Sequence, residues 1–227
     1  MTDANPAPLP PAMHADRGEI ALIVGATLLG LAVAAGMLAA GEADREATRL
    51  ALRATARVSF VYFALAFTAA PLARLRPASW SRWLLRRRRA FGVAFGATMT
   101  VHVGCILRLY ALYAPERPPM VTATDFLIGV PGLVLVACMT VTSLVAVRRR
   151  LADVHWRRLH RVGVWVVWAV FLLCLVDSVG RKETAHPFLG YWALVAVLVV
   201  AAALRWAAWR ASGPSLPGSG RAVDDPP

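Results

Sequence analysis

The sequence predicts an all-α fold: a polytopic bundle of six transmembrane helices with both termini in the cytoplasm. Three observations predict it. Hydrophobic residues make up 58% of the chain and mean hydropathy is +0.56, above the roughly 45–50% apolar share of soluble domains. The apolar residues gather into runs of about 20, the length that crosses a hydrocarbon core about 30 Å thick. Arginines cluster in every second connection between those runs. A net charge of +12 and a pI near 11.2 would otherwise raise nucleic acid as a partner. Because the charges sit between spans, they report topology, and no nucleic-acid partner is expected. Cys105, Cys138 and Cys174 lie inside apolar runs without CxxC or CxxCH spacing, which points neither to a zinc site nor to covalent c-type haem attachment.

Each element follows from local pattern. Residues 1–18 hold Pro6, Pro8, Pro10 and Pro11 and no apolar period, so they read as a disordered tail. The six-span domain covers 19–210. The first span is Ile20 to Ala40, too long for a signal-peptide core. Residues 42–57 mix both charge signs among helix formers, which predicts a short interfacial helix before a second span from Val58 to Leu75. A third span runs from Ala90 to Tyr113 and is stopped by Pro115, Pro118 and Pro119. The fourth starts at a Thr124-Asp125 cap and continues to Val147 with a kink at Pro131. The fifth, Val162 to Val176, is short, so its ends are expected in the interface or in a thinned bilayer. The sixth is Phe188 to Trp206, and the Gly/Pro/Ser-rich tail 211–227 completes the chain.

Loop charge sets the orientation, because basic residues near span ends are retained in the cytoplasm. Loop 74–89 carries Arg74, Arg76, Arg82 and Arg86 to Arg89, and loop 148–161 carries Arg148 to Arg150, Arg157, Arg158 and Arg161. The alternate connections, 114–123 and 177–187, are nearly balanced in charge. This predicts an inner-membrane, multi-pass protein with a cytoplasmic belt of Trp80, Trp83, Trp156, Trp206 and Trp209. Arg108 and Asp177, near the outer span ends, are candidates for a structural ion pair.

Few side chains could carry chemistry. Of five histidines, His14, His155 and His186 fall in the tail and loops, where solvation explains them. His102 lies 13 residues past Arg89, about 20 Å along the helix. An ionisable group at that depth marks a functional site; the alternative is a neutral imidazole hydrogen-bonded to a neighbouring helix. His160 opens the fifth span on the cytoplasmic side. No GxGxxG, Walker loop or GxSxG is present, and no pair of broken helices shows the symmetry of a transporter.

The string RRAFGVAFGATMTVH (Arg88 to His102) resembles the third-helix signature of the ferric-reductase-like transmembrane domain family. The nearest similarity is to the haem-binding membrane subunit of the bacterial periplasmic methionine sulfoxide reductase system. TARVSFVYFALAFTAAPL (Thr55 to Leu72) is similar to that family's second helix, Thr142-Ser143 to the end of its fourth, and WRRLHR (Trp156 to Arg161) to its Trp-x-x-Leu-His-Arg segment. The likeness covers about residues 50–180. It implies a six-helix bundle holding haem b between helices three and five, with His102 and His160 as candidate iron ligands. It further implies electron transfer from a quinol or flavoprotein donor to an extracytoplasmic acceptor such as a periplasmic reductase. On this reading Arg88 and Arg89 hold a cytoplasmic anionic group, a haem propionate or the donor. The same arginine run could instead grip membrane lipid.

The sequence departs from the family at one position. The second helix-five histidine, expected 13 residues after His160, is Leu173. His102 and His160 differ in depth by about 20 Å, whereas two axial nitrogens on one iron lie only about 4 Å apart. Cys174, Met99 or Met139 could supply the second ligand, haem could be five-coordinate on His102, or the fold could persist without haem as a structural or assembly partner of another protein. Larger relatives carry flavin and nicotinamide domains after helix six. Only a short tail follows Arg210 here, so a separate electron donor is expected.

Overall fold

The computed structural model describes residues 16–41, 44–113, 123–148, 152–180 and 188–211, and within them every element is a helix. In chain order these are α1 (Arg17–Ala40), α2 (Asp44–Leu75), α3 (Ser79–Arg86), α4 (Arg88–Tyr113), α5 (Ala123–Ser143), α6 (Val145–Arg148), α7 (Asp153–Gly180) and α8 (Phe188–Arg210). Five are long and apolar enough to cross a membrane: α1, α2, α4, α7 and α8. The predicted fourth span falls on α5, whose apolar part is the shorter Leu127–Ser143, about 25 Å of helix against a hydrocarbon core of about 30 Å. Of the predicted tails 1–18 and 211–227, residues 1–15 and 212–227 lie outside what is described, as does the connection 114–122, whereas Arg17 and Gly18 already belong to α1. Thr124 and Asp125, expected as a cap, fall inside the first turn of α5.

Two sequence expectations are corrected. The separate interfacial helix over 42–57 does not form, because α2 is one helix of 32 residues. Ala47, Ala51, Thr55 and Ser59, at every fourth position, are all buried, and this small-residue stripe lets α2 pack closely on its neighbours through its charged portion as well. Thr48, Thr55 and Ser59 return their hydroxyl protons to carbonyls four residues back, at 2.6, 2.8 and 3.0 Å, so their burial leaves no donor unpaired. The fifth span is likewise longer than expected. Asp153 stands in the first turn of α7, where a carboxylate suits the helix N-terminus, and it pairs with Arg148 and with Arg157. The second half of the basic loop is thus the start of the helix, and the span needs no thinned bilayer.

Packing is densest where α2 meets α4 and α1. Gly96 of α4 faces Thr140 of α5 so closely that a Cβ would overlap the threonine; only glycine allows that approach. The core between α2, α4 and α7 is aromatic. Phe63 lies 5.4 Å from Phe67, 5.5 Å from Phe95 and 5.2 Å from Phe171, and Phe60 meets Phe171 edge-on at 5.5 Å.

The antiparallel helices give the molecule two distinct ends. At one, here the basic end, Arg87 holds Asp16, Arg89 holds Glu19 at 3.8 Å, and Arg74 reaches the Ala208 carbonyl. The Arg87 guanidinium and the Glu19 amide hold the Asp16 carboxyl below the usual carboxylate range. Trp80, Trp83, Trp206 and Trp209 are exposed, Trp80 and Trp83 on α3, whose Leu84 turns inward. At the far end Arg108 bonds Asp44 at 3.0 Å and the Thr48 hydroxyl at 3.1 Å. The partner expected for it, Asp177, is not the one it takes: Asp44 comes within reach because α2 is continuous.

Candidate functional site

A cavity of about 600 Å3 opens in the far half of the bundle, within the range of small-molecule and cofactor sites. Each long helix around it contributes for a local reason. The small-residue stripe draws α2 against α4, which sets the next face of α2, bearing Leu52, Arg53, Ala56, Arg57 and Phe60, on the cavity. From α4 come Phe95, Met99, His102 and Ile106; from α5, Gly129, Gly132, Leu133 and Val136; from α7, Val167, Phe171, Leu173, Cys174 and Asp177; from α8, Tyr191 and Leu194. The wall is mostly apolar; its polar members are His102, the charged groups Arg53, Arg57 and Asp177, and the hydroxyl-bearing Ser178 and Tyr191. Phe60, Phe95 and Phe171 join it to the aromatic core.

His102 is held from α2. Its Nδ1 lies 3.2 Å from Thr55 Oγ1. The Thr55 hydroxyl has one proton and two carbonyls in reach, Ala51 at 2.8 Å and Leu52 at 3.1 Å. With that proton on a carbonyl, Thr55 accepts from Nδ1–H, and the resulting tautomer carries its lone pair on Nε2. A neutral imidazole with one nitrogen hydrogen-bonded and the other carrying a lone pair is the arrangement of a metal-ligating histidine.

The other expected site residues lie elsewhere. His160 is outside the cavity wall, and its two ring nitrogens face protein groups: Nδ1 lies 3.0 Å from the Trp156 carbonyl and Nε2 3.0 Å from Ser143 Oγ. Its ring stacks on Trp156 at 4.3 Å. Arg88 donates to the Ala66 carbonyl at 3.2 Å, and Arg89 to the Ser143 carbonyl at 3.3 Å. The structure therefore groups His160, Ser143, Arg88 and Arg89 at the basic end and does not bring them to His102. Among the alternative second ligands, Met139 packs on Gly163, whereas Met99, Leu173 and Cys174 are on the cavity wall. Met99 is one helical turn from His102 on α4 and so shares its side, which leaves Cys174 of α7 as the sulfur on a different helix.

Arg53 and Arg57 were missed as site residues because the stretch that carries them read as an interfacial helix. A signal was available: Arg45, Arg49, Arg53 and Arg57 recur at every fourth position, one face of a helix that continues into the span. Among the described residues no carboxylate lies within ion-pair distance of Arg53 or Arg57, and Arg57 stands 5.6 Å from the Tyr191 ring.

Residues 53–174, from the middle of α2 to Cys174, match the family described as ferric reductase like transmembrane component. No curated protein and no solved structure matches the chain.

Proposed function

Since the chain belongs to the ferric reductase-like transmembrane family, we propose that this multi-pass membrane protein is an electron-transfer subunit that holds haem b in the far-end cavity through His102. It passes electrons from a quinol or flavoprotein donor to an extracytoplasmic acceptor such as a periplasmic reductase. The observation that carries this reading is His102 on the wall of a cavity of about 600 Å3 with Nδ1 anchored on Thr55. The residues present fit the group from one side. His102 would hold the iron through Nε2, the apolar part of the wall would exclude water, and Arg53 and Arg57 would offer their guanidiniums to the group's carboxylates. The propionate role expected of Arg88 and Arg89 falls to them because Arg89 begins about 20 Å farther along α4 from His102. When bound, haem supplies one-electron redox chemistry whose potential follows the axial ligand and the surrounding polarity.

Orientation belongs to the same proposal. The arginine-rich end, with α3 and its two exposed tryptophans, faces the cytoplasm of an inner membrane, α5 serves as a sixth span, and the cavity opens towards the outside. A second reading is favoured by a specific observation: Leu173 stands in the cavity wall at the position expected for the second histidine. That substitution suits a haem-free member of the fold that serves as a structural or assembly partner.

The absorbance spectrum of the purified full chain, oxidised and then dithionite-reduced after expression with ample haem supply, separates the two. A b-type band that is lost in His102→Ala upholds the conduit. A colourless, folded protein overturns it and leaves the haem-free reading.

A further inference from the structure

Ala66 and Phe67 present consecutive carbonyls on α2 near the basic end, and each meets an arginine from another helix. Arg88 Nε of α4 donates to Ala66 at 3.2 Å, and Arg205 Nε of α8 donates to Phe67 at 3.1 Å. The Phe67 carbonyl is open for a covalent reason: Pro71, four residues on, has no N–H to close the helical bond. Arg205 also lies over the Phe67 ring at 4.1 Å.

Each guanidinium carries five donors, and a carbonyl takes the one on Nε. Among the described residues no protein acceptor meets the Nη donors of Arg88 or Arg205, and no carboxylate lies within ion-pair distance of either. The acids at this end are engaged by other arginines, Asp16 by Arg87, Glu19 by Arg89, and Asp153 by Arg148 and Arg157. Held on consecutive carbonyls of one helix, the two like charges lie near each other. Arg205 lies five residues before the end of α8, about 7 Å inside it, next to exposed Trp206. That is the depth at which arginines snorkel to headgroups and tryptophans anchor a span.

We propose that Arg88 and Arg205 form a binding site for the phosphate of a net-anionic phospholipid headgroup, seated between α2, α4 and α8. A phosphate bridging the two guanidiniums accepts from Nη donors on both and relieves their repulsion, and basic pockets between spans at a cytoplasmic face take such headgroups. The site is separate from the His102 cavity and does not depend on haem.

The test titrates the full chain in detergent with short-chain phosphatidylglycerol and short-chain phosphatidylcholine, read by native mass spectrometry, with inorganic phosphate as competitor. Arg88→Gln is expected to weaken phosphatidylglycerol binding about fivefold. Arg86→Gln, which removes an equal charge two residues away, leaves it unchanged. Because Arg205 also closes the Phe67 carbonyl, its substitution is made with Pro71→Ala, which restores the backbone donor; the Pro71→Ala, Arg205→Gln pair is expected to lose affinity as Arg88→Gln does. Preference for phosphatidylglycerol that falls in both variants and persists in Arg86→Gln upholds the site. Tight binding of inorganic phosphate at the same arginines without a preference for phosphatidylglycerol overturns the lipid in favour of a soluble phosphate ligand. Equal losses in all variants, or none in Arg88→Gln, reduce the effect to diffuse charge and overturn the site.

Discussion

Thr55→Val removes the hydroxyl that anchors His102 while keeping the shape of the side chain. In the native chain Nδ1 lies 3.2 Å from that oxygen. Groups that orient a metal-bound histidine typically contribute 10–100-fold to metal affinity. The close packing of α4 on α2 keeps part of the restraint, so the expected loss is at the lower bound, about tenfold in haem affinity or about 1.4 kcal/mol. The fold should hold, since valine makes no demand on the Ala51 and Leu52 carbonyls that Thr55 serves. The assay is haem titration of the purified apoprotein by absorbance, with Thr55→Ser as the variant that restores the acceptor. Unchanged affinity in Thr55→Val, or equal loss in Thr55→Ser, would refute the claim that α2 fixes the tautomer of His102.

Three further outcomes follow from the packing. Gly96→Ala places a Cβ against Thr140 and should cost about 1–3 kcal/mol, seen as a lower Tm in detergent; Thr140→Ala, which removes the two closest overlapping atoms, should recover part of it. His160→Gln breaks the contacts to Ser143 and Trp156 and should cost about 1–2 kcal/mol without removing a haem band carried by His102, a result read from paired melting and absorbance curves. Asp16 has a carboxyl held below the ordinary range in the folded state by Arg87. Its contribution is therefore complete above the unfolded carboxylate pKa near 3.9 and is lost as pH falls through the depressed value. The protection factor of the first turn of α1, its exchange relative to an unstructured amide at the same pH, should fall below about pH 4 in the native chain, and Asp16→Asn should remove that pH dependence.

Most of the helical layout was legible, because runs of apolar residues and alternating basic loops are imposed by the bilayer whatever the tertiary detail. Ala90 to Tyr113 was placed within two residues of α4, and His102 stood out because a titratable ring deep in an apolar run has few ordinary explanations. Boundaries failed where charge and burial coexist. Residues 44–57 look interfacial by composition, yet their small residues at every fourth position bury one face and keep α2 continuous; Asp153 starts α7 inside what reads as a loop. Contacts between helices were not legible at all. Thr55 and His102 are 47 residues apart, and nothing in either segment names the other. Nothing in the sequence around Arg205 names the carbonyl it meets, although Pro71 alone implies that the Phe67 carbonyl lacks its helical donor.

The length of α2 sets who can reach His102. At 32 residues the helix measures about 48 Å, against about 30 Å of hydrocarbon, and its surplus rises beyond the oil beside the rim where Arg53 and Arg57 stand. A soluble protein could dock on that projecting post and meet the vestibule at the water's edge, with no segment of its own entering the bilayer. A greasy carrier, by contrast, would have to slip in sideways between helices.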